Sequence, residues 1–102
     1  MVNQMKLTDL LDKCRRSQGE YRLPEHGSGS WATTYSNEFI RAAAEIASLL
    51  LKEKSLDDSL KDMTRYFKRS GIQSCRGAEM NIKQVRYLYD THLKKEIEER
   101  FS

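Results

Sequence analysis

A single proline and five glycines punctuate the 102 residues, and all six fall in two stretches, 19–29 and 71–77. Elsewhere no residue breaks the chain, and apolar side chains recur every three or four positions, the period of an α-helix buried along one face. The spacing predicts an all-α fold, a small four-helix domain. The first helix is expected over Gln4–Ser17, with Met5, Leu7, Leu10, Leu11 and Cys14 on its buried face. From Gln18 to Tyr35 the periodicity stops, and Gly19, Pro24, Gly27, Gly29 and several Ser and Thr predict a long loop, either mobile or tied down by Leu23 and Trp31.

Ser36 suits the N-cap of a second helix, whose stripe is Phe39, Ile40, Ala43, Ile46, Ala47, Leu50 and Leu51. With small Ala42 and Ala44 on its remaining surface, this helix has more apolar width than one packing partner requires, which predicts a homodimer. Ser55 and Asp58 cap a third helix with Leu56, Leu60, Met63 and Phe67 inward. Gly71 closes it in the left-handed conformation, and Ile72 packs back on its last turn. A fourth helix starts at Asn81, where Gln84 completes a capping box, and runs through Val85, Leu88, Tyr89 and His92. Between them, Gly71 to Gly77 is able to pair briefly as a strand. With 38% apolar residues the chain fills one core, so it reads as one domain: residues 1–54 hold the first helices and the loop, residues 55–102 a helix pair.

The motifs that would carry catalysis are missing. His26 and His92 are the two histidines and stand 66 positions apart, without the short spacing of a helical metal site. Gly27-Ser28-Gly29-Ser30 lacks the Lys-Ser/Thr that follows in a phosphate-binding loop. Cys14 sits on an apolar face as a small core residue, and Cys75 beside Arg76 is the more exposed thiol; with no C-x-x-C and no recognisable leader, the chain is expected to be cytoplasmic with reduced thiols. The longest apolar stretch, Ile46 to Leu51, is far short of the roughly 20 residues of a membrane span. The expectation is a non-enzyme that uses neither cofactor nor metal.

Charge is concentrated rather than abundant. The chain is only +3, yet Lys61 to Tyr87 holds seven basic residues against Asp62 and Glu79. On the third helix Lys61, Arg65, Lys68 and Arg69 fall opposite the apolar stripe; on the fourth, Lys83, Gln84, Arg86 and Tyr87 stay outside when Ile82, Val85, Leu88 and Tyr89 turn in. Arg, Lys and Gln match base edges in a major groove, and the first turn of a helix is what reaches them.

The run Met63 to Val85 carries a further pattern. Gly71, Ile72, Ser74, Gly77 and Val85 fall without a gap on I-A-x-x-L-N-x-x-G-I-x-[TS]-x-x-G-x-x-W-[ST]-x-x-x-V, Met63 and Phe67 keep apolar positions, and Asn81 keeps a capping residue. The segment thereby resembles the DNA-binding part of serine site-specific recombinases, over about residues 56–89. Thr64, Lys68 and Met80 depart from the pattern's Ala, Asn and Trp. The resemblance implies a helix-turn-helix-like reader of duplex DNA without the family's catalytic domain. That is a stand-alone regulator or accessory factor of a phage, plasmid or other mobile element. Under this expectation Arg65, Lys68, Arg69 and Arg76 contact phosphates, while Lys83, Gln84, Arg86 and Tyr87 offer base contacts. The rival is a helical interaction module, an inhibitor or adaptor that docks on a protein partner.

Overall fold

The computed structural model describes residues 4–17, 21–24, 31–74 and 77–100. In chain order these form α1 (Gln4–Ser17), β1 (Tyr21–Pro24), β2 (Trp31–Thr34), α2 (Asn37–Leu51), α3 (Leu56–Arg69), α4 (Ile82–Leu88), a π-helical turn (Tyr89–Leu93) and α5 (Lys94–Arg100). The last three follow one another without a break and constitute the expected fourth helix. The domain is all-α, with one short hairpin set between α1 and α2, and none of its described helices is long and apolar enough to cross a membrane.

The hairpin corrects the expected loop. β1 and β2 pair antiparallel with Tyr21 opposite Thr34 and Leu23 opposite Ala32. Aromatic and β-branched residues at Tyr21, Trp31, Thr33 and Thr34 favour extended backbone, and Pro24, which has no N–H to give, stands at a strand end. The base of this excursion is tied shut: the Ser36 hydroxyl donates to the Ser17 carbonyl at 3.0 Å and accepts from the Phe39 N–H at 3.1 Å, so one side chain ends α1 and starts α2.

The core centres on α2, which packs against α1, α3, α5 and the π-helical turn. Phe39, Ala43, Ile46, Ala47 and Leu50 are buried as the stripe requires, but so are Ala42 and Ala44. This removes the ground for a dimer through α2, because the surplus apolar width is consumed inside one chain. Two other expected core residues lie outside. Met5 is 80% exposed, since at 100° per residue it falls about 160° round the helix from Leu7. Leu56 is 40% exposed because it is the first residue of α3, beyond the end of the packed stripe.

Ser55 caps α3 by accepting from the Asp58 N–H at 3.3 Å, with Asp57 and Asp58 in the first turn and Lys68 and Arg69 in the last, as the helix dipole favours. At its other end the Ile72 N–H donates to the Phe67 carbonyl (2.9 Å) and the Gly71 N–H to that of Lys68 (3.2 Å), with Gly71 at φ +72° and Ile72 buried. This paired closure is the one the Gly-Ile signal predicts.

Candidate nucleic-acid interface

Between α3 and α4 the chain makes a second, smaller turn. The Gly77 N–H donates to the Ser74 carbonyl at 2.9 Å, the Ser74 N–H to the Ala78 carbonyl at 2.7 Å, and the Ala78 N–H to the Ser74 hydroxyl at 3.1 Å. Gly77 sits at φ +81°, and Gln73 and Glu79 form a single β-bridge, so the expected brief pairing exists. Met80, which follows this turn, is fully buried, with the Tyr35 hydroxyl 3.8 Å from its sulfur. Tyr35 stacks on Phe39 at 4.9 Å between ring centroids and meets the His92 edge at 6.2 Å. Burial lowers the pKa of His92, which favours its neutral form.

The capping box at Asn81 is complete. The Asn81 side chain accepts from the Gln84 N–H at 3.1 Å, and the Gln84 side-chain Oε1 accepts from the Asn81 N–H at 3.2 Å. Val85 and Leu88 turn inward; Lys83, Arg86 and Tyr87 are exposed, Tyr87 by 67%. Lys83 and Tyr87, four residues apart, share one face of α4.

Not all the basic residues are unengaged. The Arg86 guanidinium donates to Asp57 at 2.8 Å, and that hydrogen bond, together with the positive charge, holds the Asp57 carboxyl below its ordinary value. Lys68 lies 3.5 Å from Glu79. Asp62, largely buried, pairs with both Lys54 and Arg65, the latter at 3.3 Å. These contacts run segment 79–86 back along α3, with residue 79 near its end and residue 86 near its start. Among the described residues Lys61, Arg69 and Lys83 make no ion pair, and all three are exposed. Of the expected base-contact set, then, Lys83 and Tyr87 present unengaged side chains, Gln84 has its oxygen in the cap, and Arg86 is held by α3. Of the phosphate set, Arg65, Lys68 and Arg69 share the exposed side of α3, while Arg76 lies outside the described residues.

Asp57 and Glu79 are the residues that sequence reasoning passed over. Asp57 is 29 positions from its partner, and no spacing rule connects them. His26 and Cys75 also lie outside the described residues. Cys14 is buried, and desolvation pushes its thiol pKa to about 12, as fits a core residue. No family model, characterised protein or solved structure matches the chain.

Proposed function

We propose that this protein binds duplex DNA through the face shared by α3 and α4, as a small regulator or accessory factor of a mobile element. The observation that carries the proposal is the presentation of α4. A complete capping box fixes its first turn, buried Met80 precedes it, and Lys83 and Tyr87 stand exposed on it, while α3 exposes Lys61 and, on its α1 side, Arg69. In this scheme Arg65, Lys68 and Arg69 neutralise phosphates and hold register. Lys83 and Tyr87 lead the contacts to bases, and Gln84 supplies its amide NH2 while its oxygen stays in the cap. Arg86 joins only by exchanging Asp57 for DNA. A homodimer belongs to this scheme only on paired half-sites, since α2 offers no free apolar face.

One observation favours the rival module that docks on a protein. Arg65, Lys68 and Arg86 already have carboxylate partners, which reduces the field available to a polyanion. Anisotropy of a labelled random duplex at low salt separates the two: DNA binding gives saturable, salt-sensitive association, whereas a protein-docking module gives none and leaves the DNA scheme without support.

A further inference from the structure

A second charged site lies away from the α3–α4 face. A groove of about 530 Å³ runs over α2, between α1 and α5. Buried Leu10 and Ala42 contribute to its lining, and Lys13, Arg16, Arg41 and Arg100 bring positive charge to it from three helices. Two carboxylates, Glu38 and Glu45, also line it. Glu45 is offset by Lys6 at 3.2 Å, Arg16 by Asp12 at 3.2 Å, and Arg100 by Glu96. Arg41 and Lys13 are different. Glu38 and Glu45 stand three and four residues from Arg41, where helix geometry allows a pair, yet neither Arg41 nor Lys13 has an ion-pair partner among the described residues.

We propose that this groove binds a small organic anion, its phosphate or carboxylate held by Arg41 and Lys13 and its apolar body laid on Leu10 and Ala42. The volume falls within the range of small-molecule sites, and a guanidinium supplies the planar pair of donors that an oxyanion accepts. Lys13 and Arg41 reach the same concavity from α1 and α2, so one oxyanion can meet two positive charges at once. The inference does not rest on DNA binding, because it uses none of the α3 or α4 residues.

Calorimetric titration of the full chain with phenyl phosphate, inorganic phosphate and phenol tests it. The expected result is saturable binding of phenyl phosphate, tighter than either fragment, weakened about tenfold or more by Arg41→Gln and unchanged by Lys83→Gln. Arg41 is exposed and makes no ion pair among the described residues, so its variant should melt with the wild type; Lys13→Gln serves as a second variant, with the same direction expected. Absence of binding, binding of inorganic phosphate equal to that of phenyl phosphate, or a loss caused by Lys83→Gln and by neither groove variant would overturn the proposal.

Discussion

The two breaks in the helical pattern, 18–35 and 70–81, are both rich in small polar residues, yet only the second is fixed by local chemistry. In 70–81 the described residues close both ends of the turn with near neighbours. Gly71 and Ile72 close α3, Ser74 and Gly77 make the turn, and Asn81 and Gln84 open α4. In 18–35 the described residues 21–24 and 31–34 are joined by strand pairing, and Ser36 ties the end of α1 to the start of α2. A turn made of short-range hydrogen bonds holds its shape residue by residue; a hairpin of four-residue strands depends on what surrounds it.

The strongest way to break this contrast is Met80→Ala. Removing this fully buried side chain, which joins the turn to the core, should cost about 2–4 kcal/mol in denaturant unfolding and lower DNA binding with it. Gly71→Ala should cost about 1–2 kcal/mol, all of it conformational, because the space a Cβ would enter is empty and only φ +72° opposes it. Ser36→Ala and Asn81→Ala each remove an N-cap, worth about 1 kcal/mol, and comparing their melts shows whether the base of the excursion matters as much as the start of α4. Thr33→Pro, which takes an N–H from the middle of β2, should change global stability by less than about 0.5 kcal/mol. A larger loss would mean that the hairpin supports the helices.

A pH titration sharpens the same contrast at the junction of the two breaks, where His92 faces Tyr35. Burial lowers the imidazole pKa in the folded state, so the unfolded chain takes up the proton first. The His92 contribution to stability should therefore be level above about pH 6.5 and fall as the pH drops from there through the lower folded pKa, and His92→Gln should remove that part of the slope.

Much of the fold was legible because its signals are local. The caps at Ser36, Ser55 and Asn81, the Gly71 closure and the stripes of α2 and α3 need only a few neighbouring residues to be read. Misreadings arose where the deciding partner is distant in sequence. Helical period alone leaves Ala42 and Ala44 on the surface, because nothing local reveals that α1, α3 and α5 all pack on α2. The sequence reads as a loop over 18–35 because Gly19, Pro24, Gly27 and Gly29 interrupt any period, whereas the strand pairing joins residues as far apart as Tyr21 and Thr34. For the candidate interface, helical period alone gave which charges are exposed, while the pairing of Arg86 with Asp57 is a tertiary fact. Asp57→Asn removes the carboxylate that holds Arg86 and lowers repulsion of the phosphates, and should tighten DNA binding about twofold or more.

The most direct measurement is the salt dependence of duplex binding for the wild type, Lys83→Ala and Arg69→Ala. Binding through the α3–α4 face requires that the wild type bind random duplex at low salt, and that Arg69→Ala reduce the log–log salt slope by about one with equal effect on all sequences. Lys83→Ala should cost about 1–3 kcal/mol and relax preference at particular base pairs. No low-salt binding by the wild type, or wild-type affinity and slope in both variants, would contradict DNA recognition by this face.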